Sequence, residues 1–212
     1  PDAETLGKPA NHYAKQLLEG TEVRCGARVH RLQREGQHWR LLDEHDGTLL
    51  LASAVLVTAP APQAAQLLCV AQPDWASSLA MLPMDPRWVV LAKIGSTDAH
   101  NAHPGRSAGA WTPRQPLASS PGCVVIESSR EWAQEHLELE PEGVVEDALR
   151  SLAIERTAVR EASAHRWRFA DCPAPLAIPG FWDPSTRIGA AGDAFTAGNG
   201  DQGVLRALAS AY

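Results

Sequence analysis

The C-terminal segment constrains the fold of this chain more than any other part of the sequence. Residues Ile188–Asp193 are apolar or small and end in an aspartate, a loop rich in Gly and Asn follows, and apolar residues recur at helical spacing over Val204–Ala209. This pattern predicts a strand that delivers Asp193 to its carboxyl end, then a helix whose first turn has unpaired N–H groups. Such a helix start can hold electron-rich ligand atoms, and a carboxylate accepts hydrogen bonds from hydroxyl groups. The same letters are typical of a plain strand, loop and Asp N-cap, so spacing alone leaves both interpretations open.

Composition argues against several classes of function. The 212 residues are 44% hydrophobic, which is enough for a full core in one large or two small domains. The formal net charge is -6 and the 19 basic residues form no cluster, so we expect no nucleic-acid partner. No apolar run approaches the roughly 18 residues of a membrane span, and no signal-peptide pattern occurs, so we expect no membrane partner. We expect a cytoplasmic protein that acts on a small-molecule substrate.

Cysteine and histidine spacing gives no metal or redox motif. The four cysteines lie far apart without a C-x-x-C pair, so we expect buried reduced thiols. They are Cys25, Cys69, Cys123 and Cys172. His100 and His103 are the closest pair of histidines, in a segment predicted to be a loop, and two ligands are too few for a structural metal site. We therefore predict no metal.

Local patterns predict helices mixed with short strands. β-type segments at Thr21–Cys25, Arg28–Arg34 and His38–Leu42, separated by glycine turns, predict a meander of hairpins. The longer apolar run Leu49–Thr58 predicts one strand covered on both faces, as in a parallel or mixed sheet. Further strands are predicted at Trp88–Ile94, Ser107–Trp111, Cys123–Glu127 and Ala164–Phe169, and helices at Gln63–Leu68, at Asp74–Leu82, after Ser129 and after Pro141.

Several motifs, in a shared order, resemble a known family. The stretch GDAFTAGNGDQG, residues 192–203, is similar to the C-terminal flavin motif of the amine-oxidase-type flavoproteins, most closely the renalase-like group. Other segments that resemble the family, in the same order, are Gly7–Pro9, Val55–Gln63, Met84–Trp88, Ser129–Trp132 and His165–Trp167. The resemblance implies an α+β fold. An antiparallel or mixed-sheet substrate domain, residues 1–20 and 83–178, would be joined to a partial FAD-binding, Rossmann-like domain, residues 21–71 and 186–212.

The resemblance also implies FAD as the cofactor and suggests residues that contact it. Gly192 and Asp193 would lie against the ribityl and pyrophosphate region, and the main chain near Val29 would pair with the adenine. Thr58 and Ala59 would run along the dinucleotide at the carboxyl end of a strand, where open α/β sheets bind ligands. The structural alternatives are a core β residue for Val29 and a strand-ending turn for Thr58 and Ala59.

A second group of cofactor candidates lies in the closing helix. A helix that opens near Asp201, Gly203 and Val204 would present N–H groups and a partial positive charge to the isoalloxazine. Gln202 departs from the family pattern, in which glycine directly follows the acidic residue. The family also opens with a strand that runs directly into a G-x-G-x-x-G turn and a helix, which cradle the pyrophosphate. This sequence has no such segment, so we expect a fragment or a member without the cradle, which alone binds FAD poorly.

Aromatic and polar residues of the strand-rich body are candidates for a substrate cavity, and flat aromatic walls suit a nicotinamide ring. Most of the tryptophans are expected in the core. His165 is the best polar candidate, and relatives often have His in place of Glu127. The candidates are Trp88, Trp111, Glu127, Trp132, His165 and Trp167.

Two functions from different classes follow. The first is a flavin-dependent oxidoreductase that takes hydride from a dihydronicotinamide-type or amine substrate and passes electrons to oxygen. The second is a non-catalytic α+β module, derived from that family, that binds a ligand or dimerises. A homodimer or a missing N-terminal segment would then cover the exposed strand edges.

Overall fold

The computed structural model of the chain describes residues 16, 18–95, 107–114 and 122–195. The chain divides into two compact units. We call the first the inserted unit; it consists of Asp85–Ala170 and the residues before Gly20. The second, the split unit, combines Gly20–Met84 with the residues from Asp171 onward. Residues 171–178, predicted for the substrate domain, thus lie in the split unit, and the roles predicted for the two domains remain predictions.

Helices and strands alternate irregularly along the described residues, which gives the predicted α+β class. The strands are β1 (Arg31–Glu35), β2 (His38–Leu42), β3 (Thr48–Ala52), β4 (Val55–Val57), β5 (Asp85–Ile94), β6 (Trp111–Arg114), β7 (Cys123–Ser128), β8 (Val159–Asp171), β9 (Phe181–Asp183) and β10 (Ile188–Ala190). The α-helices are α1 (Ala61–Leu68), α2 (Pro73–Ala80), α3 (Arg130–Glu135) and α4 (Pro141–Ser151), and a 3-10 turn spans Arg156–Ala158. None of the described helices combines the length and the apolar character that a membrane span requires.

Of the predicted hairpin meander, the pairing of its second and third strands is confirmed: they form β1 and β2 of an antiparallel sheet in the order β1-β2-β3, whose third strand, Thr48–Ala52, was not predicted for it. Gly36, at φ 57°, makes the turn between β1 and β2, because glycine accepts positive φ without steric cost. The strand predicted at Thr21–Cys25 is wrong, since this segment is irregular. The next predicted strand begins only at Arg31, so Val29 precedes β1.

A second sheet of the split unit has the order β4-β10-β9, with β4 parallel and β9 antiparallel to β10. The mixed sheet predicted for the Leu49–Thr58 run is therefore present, but the prediction that this run forms one continuous strand is wrong. The run breaks at Ser53 and Ala54, so that β3 and β4 belong to different sheets. Leu50 and Leu51 of β3 are exposed rather than covered.

The core of the split unit forms where α1 and α2 pack with these strands. Buried Leu68 and Leu79 from the helices join Ile188 and Phe195 in one apolar cluster. Pro60 to Pro62 end the preceding strand and start α1 with proline in its first turn. The two helices contact each other extensively.

The inserted unit is a four-stranded sheet, in the order β6-β7-β5-β8, with helices on one face. Burial alternates along β5 and β7, so one face of the sheet is buried in the core and the second is partly exposed. Both predicted helix starts are confirmed: the Ser129 hydroxyl accepts from Trp132 N at 3.2 Å, and Pro141 occupies the first turn of α4. β5 begins at Asp85, earlier than predicted, and includes the buried Pro86.

Candidate functional site

Four of the predicted cofactor residues meet at the carboxyl ends of two parallel strands. Thr58 and Ala59 follow β4, and Gly192 and Asp193 follow β10 one residue later. The register pairs Val57 with Ala190, and Ala191 N donates to Val57 O at 3.0 Å, which extends the pairing beyond the strands. The two segments therefore leave the sheet side by side.

Gly192 gives this edge its shape. Its φ is 135°, a conformation that residues with a Cβ rarely adopt, and a Cβ placed there would stand 3.8 Å from Thr58 O. The backbone is thus bare where the two strands end. A position of this kind allows a ligand to approach the main chain closely.

Buried contacts and backbone hydrogen bonds hold the segment after Gly192 in place. Phe195 is buried, its N–H donates to Gly192 O at 3.2 Å, and its ring meets Phe181 edge-on at 5.2 Å between centroids. Leu176 N donates to Ala194 O at 2.9 Å. These contacts fix the half-buried Asp193 at the strand end.

A cleft of about 520 Å³ begins beside Ala59 and runs between the segment before β1 and helix α1. Its size lies within the range of small-molecule sites. Val29 and Ala59, two predicted cofactor residues, both line it. Val29 is half-buried and packs against the core of the split unit, and the neighbouring His30 N donates to Leu42 O at 2.7 Å, which fixes this segment against β2.

Four side chains that were not among the predicted site residues form a polar wall of this cleft. Gln63 and Gln66 lie three residues apart on α1 and face the same cleft as Arg28 and His30. The helical spacing of the two glutamines was a usable signal, but only the fold shows which segment lies opposite them. Together these side chains offer donors and acceptors for a polar ligand.

The remaining cofactor candidates, Asp201, Gly203 and Val204, lie outside the described residues, as do His100 and His103. Within the described ranges no group of three or more His, Cys, Asp or Glu side chains is placed to hold a metal ion. None of the four cysteines, all of which the structure describes, forms a disulfide. The expectation that they are buried is wrong for Cys25 and Cys69, which are exposed.

The substrate candidates of the inserted unit divide between the two faces of its sheet. Trp88 and Trp111 lie in the core on the helix-covered face, with exposed fractions of 1% and 0%. Their indole N–H groups are bound within the protein, Trp88 to His136 O at 3.1 Å and Trp111 to Asp147 Oδ2 at 2.9 Å. Both are therefore core residues, as expected for most of the tryptophans. Trp132 also packs on this side, tilted against Trp111 at 4.6 Å.

Glu127, His165 and Trp167 share the second face. Glu127 pairs with Val89 and alternates with the buried Ile126. Arg166 lies over the ring of core residue Trp88, so its neighbours in β8, His165 and Trp167, point to the opposite side. These two rings meet edge-on at 4.8 Å, and Trp167 is 52% exposed.

The carboxylate of Glu127 sits between two arginines on this second face. Arg114 Nε donates to Glu127 Oε2 at 2.9 Å, and Arg87 Nη1 lies 3.8 Å from the same oxygen. Arg87 also donates to Ser128 O at 3.2 Å. Glu127 was predicted from the sequence, but its two arginine partners were not, because they come from the adjacent strands β5 and β6.

Comparisons with known proteins show the fold. No protein-family model matches the chain. A solved structure of cyclohexylamine oxidase from Brevibacterium oxydans IH-35A matches 87% of the chain with a TM-score of 0.57 at 14% sequence identity. A putrescine oxidase double mutant, from a redesign of cofactor binding, matches 93% with a TM-score of 0.52 at 15% identity. The chain spans 47% and 49% of these proteins, about half their length.

Proposed function

We propose that this chain is a flavin-dependent oxidoreductase of the amine-oxidase type, similar to the renalase-like group. In this proposal it takes hydride from a dihydronicotinamide-type or amine substrate. The observation that carries the proposal is the meeting of Thr58, Ala59, Gly192 and Asp193 at one sheet edge. The fold shared with two amine oxidases supports it.

The residues of the split unit fit a flavin dinucleotide. The bare backbone at Gly192 permits close approach of a ligand, and the cleft beside Ala59 continues towards Val29 with space for a nucleoside-sized group. Gln63 and Gln66 supply polar atoms for a base or a ribose. The chemistry that a bound flavin would supply here is acceptance of hydride and transfer of electrons to oxygen.

The contributions of the protein in this scheme are binding and orientation. The carboxylate of Asp193 accepts hydrogen bonds from ligand hydroxyl groups, while the main chain at Val29 and Ala59 holds the nucleoside end. The helix start predicted at Asp201 would add N–H groups and a partial positive charge. On the substrate side, the second face of the inserted unit offers Trp167 and His165 to a planar ring.

Titration of the purified chain with FAD, followed by the flavin difference spectrum, tests the proposal. Weak but saturable binding is expected, and Asp193→Asn should weaken it about tenfold, since a charge-assisted hydrogen bond contributes roughly 1.5–3 kcal/mol. Glu44→Gln is the matched control, because this carboxylate lies in the same unit and is 76% exposed. Equal affinity for all three proteins would contradict the role of Asp193.

Oxygen consumption and molecular size then separate the two functions stated from the sequence. The oxidoreductase predicts flavin-dependent oxygen uptake with a dihydronicotinamide or an amine. A stable dimer on a sizing column, with neither flavin binding nor oxygen uptake, would instead favour the non-catalytic module.

A further inference from the structure

The second face of the inserted unit carries an arginine pair beside an apolar floor. Arg87 belongs to β5 and Arg114 to β6, and Glu127 of the intervening β7 lies between them. The side chain of Glu127 is 24% exposed, whereas that of Arg114 is 56% exposed. The carboxylate is therefore the shielded member of the cluster, and the guanidinium of Arg114 faces solvent.

The charge of this cluster does not cancel. Two guanidinium groups share one carboxylate oxygen, which leaves one positive charge in excess. A guanidinium carries several N–H donors in a planar fork that matches carboxylate and phosphate oxygens. Glu127 takes the Nε–H of Arg114, so the N–H groups at the end of this guanidinium remain for another acceptor. The pair suits an anion with at least two oxygens.

The surface beside the pair suits a flat apolar group. Leu91 is 51% exposed and pairs with Val125, which in turn pairs with Arg114 across the sheet. Trp167 of β8 lies on the same face, on the other side of β5. A ligand with a planar ring and a separate anionic group would meet aromatic, apolar and cationic surface in that order.

We propose that Arg114 and Arg87 determine substrate charge by binding a phosphate or carboxylate group of the substrate, with Glu127 as a positioning residue that holds Arg114. The proposal rests on the proposed function, in which this face receives the substrate. It selects an anionic, nucleotide-like substrate over an amine, because a protonated amine would be repelled by the excess positive charge.

The test compares two ligands that differ by one phosphate. Nicotinamide mononucleotide and nicotinamide riboside, both oxidised and therefore unreactive, are titrated into the full chain by calorimetry. The wild type should bind the mononucleotide about tenfold more tightly or better, and Arg114→Gln should reduce that preference to about twofold or less. Arg150→Gln, which removes a 74% exposed arginine from α4, should leave the preference unchanged.

The role of Glu127 has its own readout. Glu127→Ala and Glu127→Gln both remove the negative charge beside Arg114, but only the glutamine retains an oxygen acceptor for Arg114 Nε. Glu127→Gln should therefore keep a mononucleotide preference several-fold greater than that of Glu127→Ala, because the guanidinium stays in position. A purely structural role would instead lower the affinity for both ligands together.

Salt dependence tests the same idea without a substitution. Raising NaCl from about 20 mM to about 500 mM should shrink the mononucleotide preference, because the Debye length falls to a few ångströms. Equal binding of both ligands by the wild type, or binding of neither, would overturn the proposal. These measurements need no flavin, so failure of FAD binding is distinguishable from failure of the arginine pair.

Discussion

Gly189 shows how one absent side chain determines the packing of a sheet. It lies in the middle of β10, between Leu56 of β4 and Trp182 of β9. The indole of Trp182 and the side chain of Leu56 close over it from both sides, and each remains about half exposed. The sequence predicted a strand here, but glycine in a strand does not reveal that two neighbours occupy the space of its missing side chain.

Gly189→Ala should destabilise the split unit by roughly 1–3 kcal/mol, the usual cost of overpacking. The added Cβ would stand 2.7 Å from Phe181 O and 2.8 Å from Trp182 Cε3, and a backbone oxygen cannot move aside easily. Urea unfolding gives the measurement. Gly143→Ala in α4 is the control, because its nearest atom is Leu139 Cγ at 3.5 Å, and the gain in helix propensity should stabilise the protein slightly.

Asp183 makes the turn between β9 and β10 sensitive to acid. Hydrogen bonds that its carboxylate accepts, from the Thr186 hydroxyl first and from the Ser185 hydroxyl second in size of effect, lower the pKa of Asp183 far below the usual range. A lowered pKa in the folded state stabilises the fold above the pKa of the unfolded state, near 4, and the contribution is lost as pH falls through the folded-state pKa.

As the pH falls from about 5 to about 2, the free energy of unfolding of Asp183→Asn should therefore decrease less than that of the wild type. Melting temperatures across this range provide the measurement. Glu44→Gln, which removes an exposed carboxylate from the same unit, should follow the wild-type curve. Parallel curves for Asp183→Asn and the wild type would show that this carboxylate does not drive acid unfolding.

At the scale of elements, the sequence predicted the helix starts, which depend on neighbouring residues. It did not predict strand pairing, which depends on residues far apart in the chain. The Ser129 cap and the Pro141 helix start follow from neighbouring residues and are confirmed. Leu49–Thr58 reads as one strand, yet β3 and β4 pair with different partners, and no local signal names those partners. The strand at Trp88–Ile94 was also predicted, but its nearly continuous apolar residues do not say which face the helices cover.

Ser129→Ala should destabilise the inserted unit by about 1 kcal/mol, because the cap satisfies Trp132 N at the start of α3. Ser77→Ala in α2 is the control, since the Ser77 hydroxyl only donates to Pro73 O within its own helix. Chemical denaturation of both variants measures the difference. A loss of similar size at both positions would argue against a capping effect.

At the scale of the whole molecule, each unit has a core of its own. The buried apolar residues form two separate clusters, one around Ile126 and one around Leu68. The cofactor candidates at Thr58, Ala59 and Gly192 were predictable only through resemblance, because their distant strands come together by a pairing that local sequence does not specify. Arg87 and Arg114 escaped prediction for the same reason.

Leu68→Ala and Ile126→Ala should each lower stability by roughly 2–5 kcal/mol, mainly in the unit that contains the substitution. Hydrogen exchange read by peptide should show faster opening over residues 20–84 and from 171 onward for Leu68→Ala, and over residues 85–170 for Ile126→Ala. The two variants are controls for each other. Uniform acceleration in both would mean that the units open together.

The parallel pairing of β4 with β10 also has a consequence during synthesis. The ribosome makes β4 long before its partner, and the strands of the inserted unit emerge in between. Those strands can pack as soon as Ala170 has left the exit tunnel. Until Ile188 and Phe195 follow, the apolar side of α1 lacks part of its cover, so a nascent chain stalled in this interval is the form most exposed to chaperones and to aggregation.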